Sequence, residues 1–151
     1  SAYLNKRLDL DRFDRAASFL LAHGVDLRVF VLLGAPGIAS EDAVEWIVRS
    51  AEYAAQRGAA IVSIIPVRGG NGEMERLATL GLFTPPTLRQ LESALDRCLS
   101  LNDTVVTADL WDVERLPACS ECRASRIERL RRLNVTGNAE PPVLCACCDP
   151  S

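Results

Sequence analysis

No apolar run in these 151 residues is long enough to cross a bilayer. The longest, around residues 29–33 and 59–66, fall far short of the roughly 20 residues a helical span needs. A large charge excess is missing too: a net charge of -3 excludes the global basic field that nucleic-acid-binding domains carry. The opening stretch SAYLNKRLDLDRF has neither an initiating Met nor an apolar leader core, so it reads as the continuation of a longer chain, not as a secretory signal. There is no Gly-Lys-Ser/Thr ending to a glycine loop and no three-glycine dinucleotide fingerprint, which excludes both common nucleotide motifs. Histidine is nearly absent: His23, before Gly24, stands at an expected helix end and suits capping better than base chemistry. No short repeat and no low-complexity segment interrupts the chain.

What is present is the composition of an ordinary soluble domain, 48% hydrophobic and 25% charged, with room for one main unit and at most an appendage. Phe13, Ala16, Ala17, Leu20 and Leu21 recur at helical spacing behind Asp9 and Asp11, either of which suits an N-cap. LRVFVLL then reads as a strand covered on both faces of a parallel sheet. Val44, Ile47, Val48, Ala51 and Ala55 form a second helical stripe with Ser40 as its expected cap and Glu45 and Arg49 paired on the outside. AAIVSIIP is a second strand, and a short helix through Met74 and Leu77 follows the RGGNG loop. TPPT, from Thr84, opens a helix whose apolar face holds Leu88, Leu91, Leu95 and Cys98. TVVTADLW is the third strand. Strands separated by helix-length crossovers predict an α/β fold of parallel β/α units. Three strands would leave exposed edges, so further strands are expected upstream.

Gly34 and Gly37 bracket the turn that hands the first strand to its helix, at the sheet edge where ligands gather in parallel α/β folds. A tight connection needing positive φ is the plainer reading. The second strand ends at the same edge in PVRGGNG, where Arg68 stands among glycines; two such loops, one carrying a cation, favour a concave ligand site.

A basic LNKR before a helix, an apolar strand into LLGAPG, an amphipathic helix and a strand into PVRGGNG together resemble the later half of a radical S-adenosylmethionine core, a partial (β/α) barrel. ADLWD and the terminal cysteine pairs more narrowly resemble the archaeosine synthase radical subunit and Elongator catalytic subunit-like relatives. The resemblance covers most of the chain. It implies that Leu32, Gly34 and Gly37 line the adenine side of S-adenosylmethionine, that Ile65 and Pro66 meet it from the next strand with Arg68 nearby, and that Lys6 or Arg7 meets the methionyl carboxylate. Ile38 stands where relatives often carry Glu. The three-cysteine motif that holds the [4Fe-4S] cluster is not in this sequence, so the cluster ligands are expected upstream, in the same or a partner chain. The implied reaction is hydrogen abstraction from a tRNA nucleoside by a 5′-deoxyadenosyl radical. No catalytic residue is assigned within this segment.

Of the six cysteines, five crowd the last third. Cys119 and Cys122 form one Cys-x-x-Cys pair and Cys145 with Cys148 another, with 22 residues between the pairs. Two such knuckles predict a structural zinc site of four thiolates, with Cys147 as an alternative to Cys148 and an auxiliary iron–sulfur cluster as the other metal option. Close thiol pairs suit a reducing compartment, so cytoplasm is expected. Cys98 reads as a core residue. Between the knuckles, RASRIERLRR carries five Arg against one Glu, either as a solvated helix or as a phosphate-contacting stripe of Arg123, Arg126, Arg129 and Arg132. Asp109 and Asp112 beside Trp111 read as turn-forming acids or as substrate acceptors. The domain expectation is a half barrel over residues 1–112 and a cysteine-rich, zinc-ribbon-like appendage over 113–151. The competing function is a non-catalytic zinc-dependent adapter that binds RNA or protein.

Overall fold

Three apolar segments become the strands Arg28–Leu33 (β1), Ile61–Pro66 (β2) and Val105–Ala108 (β3), which pair in parallel and in chain order. The computed structural model describes residues 2–69 and 72–148, with side chains from residue 10 onward. Among the described residues five α-helices accompany the strands: α1 (Ala2–Ala22), α2 (Ala43–Gln56), α3 (Glu73–Thr79), α4 (Leu88–Cys98) and α5 (Arg123–Thr136). The protein is thus a mixed α/β fold. No helix among the described residues is long and apolar enough to cross a membrane.

Side chains alternate across a strand, and here only one face of the sheet is sealed. Val31, Leu33, Val62, Ile64, Val106 and Ala108 point into a core completed by Ile47 and Ala51 of α2, Leu88, Leu91 and Leu95 of α4, and Leu130 and Leu133 of α5. On the opposite face Phe30, Leu32 and Val105 are 59%, 46% and 58% exposed. The expectation of a strand covered on both faces is therefore corrected. In VFVLL every position is apolar, so the sequence hides which alternate set is buried.

The two edges of the sheet differ. β1 has no strand beside its outer edge among the described residues. At β3, Asn134 of α5 takes the place of a neighbouring strand: its Oδ1 accepts from the Ala108 N–H at 2.8 Å and its Nδ2 donates to the Ala108 carbonyl at 2.9 Å. Val113, Leu116, Ile127, Leu130 and Leu133 belong to the same apolar core as the strands, so one core spans the expected domain boundary at residue 112.

Local chemistry places the helices. α1 runs over Ala2–Ala22, so Asp9 and Asp11 lie inside the helix and not at its start. It is tied to α2 through Asp14, which accepts from the Tyr53 hydroxyl at 2.6 Å and from Arg57 at 3.0 Å. Ser40 belongs to a short 3-10 turn ahead of α2, and its carbonyl and hydroxyl accept from Gln90 of α4 instead of capping α2. α4 is capped by Thr87, the last residue of TPPT: Thr87 Oγ1 accepts from the Gln90 N–H while Gln90 Oε1 accepts from the Thr87 N–H. His23 ends α1, with its Nδ1 2.8 Å from the Phe19 carbonyl.

Candidate metal centre and sheet edge

The first cysteine knuckle runs directly into α5. Cys122 is the residue before the first helical turn and its carbonyl accepts from the Arg126 N–H at 3.0 Å. After α5, Gly137 turns the chain at φ +66, and residues 138–144 run back along the helix to bring the second knuckle home. Arg129 holds that return segment by donating to the carbonyls of Glu140 at 2.6 Å and Pro141 at 2.9 Å, and Arg132 pairs with the Glu140 carboxylate at 3.0 Å.

The result is a cluster in which the sulfurs of Cys119, Cys122, Cys145 and Cys148 all lie within 4.8 Å of one another. Cys122 Sγ and Cys148 Sγ are 3.6 Å apart. Four thiolates at about 2.3 Å from a tetrahedral zinc stand about 3.8 Å apart, so the group accepts such an ion with sub-ångström adjustment. Cys147 is exposed and is not one of the four clustered sulfurs, although its thiol hydrogen-bonds Cys119; the geometry favours Cys148 as the fourth ligand. Cys98 is buried on α4, and burial pushes its thiol up to about 11. Without an ion, the Glu121 backbone N–H and then the Cys148 thiol draw Cys119 down to about 6. Cys148 is pushed up to about 12, chiefly by its hydrogen bond to Cys119. Cys119 is therefore the sulfur most ready to meet a cation, while an ion would have to displace the proton of Cys148.

The arginines of α5 do not form a stripe toward solvent, and this corrects the sequence expectation. Arg126 and Arg129 are only 4% and 2% exposed. Arg126 Nη1 donates to Glu92 Oε1 at 2.6 Å; Arg129 Nη1 donates to Glu92 Oε2 at 3.3 Å, and Arg129 also makes a paired contact with Asp96 at 3.1 and 3.0 Å. Arg123 donates to the carbonyls of Glu114, Leu116 and Ala118, which fixes the segment entering the first knuckle. Neither Glu92 nor Asn134 belongs to a sequence motif. Glu92 did leave a signal: it lies four residues after Leu88 and three before Leu95, a carboxylate on the apolar stripe of its helix.

At the carboxyl edge of the sheet, Leu32 and Ile65 are register partners on the open face. Pro66 is fully buried on the other face, against expectation, because it follows Ile65 by one position in a strand. Gly34 has φ +84, and a Cβ there would stand 2.9 Å from Pro86 Cδ, so this glycine is explained by close packing on the entrance to α4. Gly37 has φ +86 and open space where a Cβ would be. Arg68 is folded back: it donates to the Pro66 and Trp111 carbonyls and to Asp109, with its guanidinium 5.3 Å from the Trp111 ring centre. Asp109 accepts from Arg68 and from the Trp111 N–H, while Asp112 turns the chain at φ +55 and pairs with Arg115, so both acids shape the turn. The side chains of Lys6 and Arg7 lie outside the described part of the chain.

The chain matches no protein-family model, no curated protein and no solved structure.

Proposed function

We propose that the chain is the C-terminal portion of a radical S-adenosylmethionine enzyme of the cytoplasm that modifies a tRNA nucleoside, with a structural zinc centre in its last third. The observation that carries the reading is the one-sided sheet. Phe30 and Leu32 are left exposed on a face that ends at the glycine turn, and β1 has no neighbour on its outer edge among the described residues. Apolar surface of that kind needs a covering layer, and strands of an upstream half barrel added to β1 would turn the open face inward. Leu32 and Ile65, apolar and adjacent at the carboxyl edge, suit one face of an adenine ring, and Gly37 leaves room for a ligand to approach the backbone.

S-adenosylmethionine bound beside an upstream iron–sulfur cluster supplies the radical chemistry. The residues of this chain bind and orient: they give the cofactor an apolar wall, while Arg68, Asp109 and Trp111 form a fixed polar turn beside it. The buried ion pairs of Arg126 and Arg129 remove two of the four cations expected to meet phosphate, which weighs against RNA contact through α5 in the enzyme and adapter readings alike.

The coding sequence upstream of Ser1 is the first test. An in-frame three-cysteine motif supports the enzyme; its absence from that reading frame and from any co-purifying chain overturns it. With the motif in hand, the intact protein reconstituted without oxygen is expected to bind S-adenosylmethionine, and Gly37→Val is expected to abolish that binding while leaving the circular dichroism spectrum unchanged. Filter binding with unmodified tRNA tests the substrate class separately.

A further inference from the structure

One arginine joins the metal centre to the core. Cys122 and Arg126 are four residues apart at the start of α5, so they share a helix face. Arg126 Nε donates to Cys122 Sγ at 3.1 Å. Cys122 is 3% exposed, the only one of the four clustered cysteines that is buried, and water has little access to its sulfur. Arg126 itself is held by the 2.6 Å bond to Glu92, and Glu92 is held from its other oxygen by Arg129. Four thiolates around a divalent ion carry two excess negative charges, and ligand sulfurs that cannot reach water need another donor.

We propose that Arg126 is a positioning residue of the metal centre: its N–H group hydrogen-bonds the Cys122 thiolate, aims that sulfur at the ion and draws off part of its charge, while Glu92 locks the guanidinium in place. This rests on the metal reading of the four cysteines and goes beyond it. It makes the centre part of the contact between α4 and α5, not a separate knot at the end of the chain. It also assigns a reason for burying an arginine in a core that two apolar side chains would fill at lower desolvation cost.

Cobalt(II) is the probe, because its sulfur-to-metal charge-transfer band reports the electron-donating power of the ligand sulfurs. The wild-type chain is expected to take up one cobalt per chain with the intense absorption of a tetrahedral tetrathiolate site. Arg126→Met should move the charge-transfer band to lower energy and weaken cobalt binding about tenfold or more, the usual effect of losing a partner that orients a ligand. Arg126→Lys, which keeps a cation and an N–H, should restore part of both changes. If Arg126→Met does not fold, the double variant Glu92→Leu/Arg126→Met removes both charges at similar volume and is expected to show the same band shift. A band position and affinity unchanged from wild type in whichever of these folds overturns the role of Arg126 while leaving the metal site intact. No cobalt uptake by the wild-type chain overturns the metal reading and this inference together.

Discussion

Replacing Glu92 with alanine removes the one carboxylate on which two buried guanidinium groups converge. Breaking a buried ion pair from one side costs about 3–5 kcal/mol, because the remaining charge is left without a partner. The surroundings place this case at the low end. Arg129 keeps its paired contact with Asp96 and its two carbonyls, and Arg126 keeps the sulfur of Cys122. The expected loss is therefore about 3 kcal/mol, most of it on Arg126. For a chain of this size that corresponds to a fall in Tm of about 6–12 °C. The assay is urea and thermal unfolding followed by circular dichroism, with zinc held at the same excess for every variant because a bound ion shifts the midpoint by mass action. Glu92→Gln, which keeps the shape and one acceptor, should lose less. Glu92→Leu combined with Arg126→Met should recover much of the stability. A Glu92→Ala protein within about 0.5 kcal/mol of wild type, the range of ordinary surface changes, would refute the reasoning.

Metal analysis of the purified chain should find one zinc per chain, lost in Cys119→Ser and Cys145→Ser and retained in Cys147→Ser; iron and sulfide in its place would point to a cluster. In metal-free protein, iodoacetamide at neutral pH should label Cys119 first, with a rate midpoint near pH 6, and leave Cys98 unlabelled until the chain unfolds. Because the folded value of Cys119 lies below that of an ordinary thiol, its contribution to stability is complete above about pH 9 and declines as pH falls through about 6, which unfolding measured across that window would detect. Gly34→Ala should destabilise more than Gly37→Ala, since both strain a positive φ but only the first drives a Cβ into Pro86; equal midpoints in urea would contradict this. Asn134→Leu strips two hydrogen bonds from the edge of β3 and should cost about 1–3 kcal/mol and promote self-association, read by urea unfolding and light scattering.

The sequence by itself determined the succession of elements and the ligands of the candidate metal centre. Helical spacing in Leu88, Leu91, Leu95 and Cys98 and the apolar run at Ile61–Pro66 are local patterns, and two Cys-x-x-Cys pairs announce four sulfurs wherever the chain brings them together. Only the tertiary structure decided which face of VFVLL stays open, because a run of apolar residues has no polar alternation to mark its outside. In RASRIERLRR, Arg126 and Arg129 stand four residues before Leu130 and Leu133 and so share the apolar side of the helix, but what lets them be buried there is the pair of carboxylates on α4, more than 30 positions earlier in the chain. The conformation of Gly34 was open to a ligand or a packing explanation until Pro86 was found against it. Periodicity and ligand spacing are carried by near neighbours along the chain, whereas the partner of a charge and the cover of a sheet face come from remote segments, so only folding assigns them.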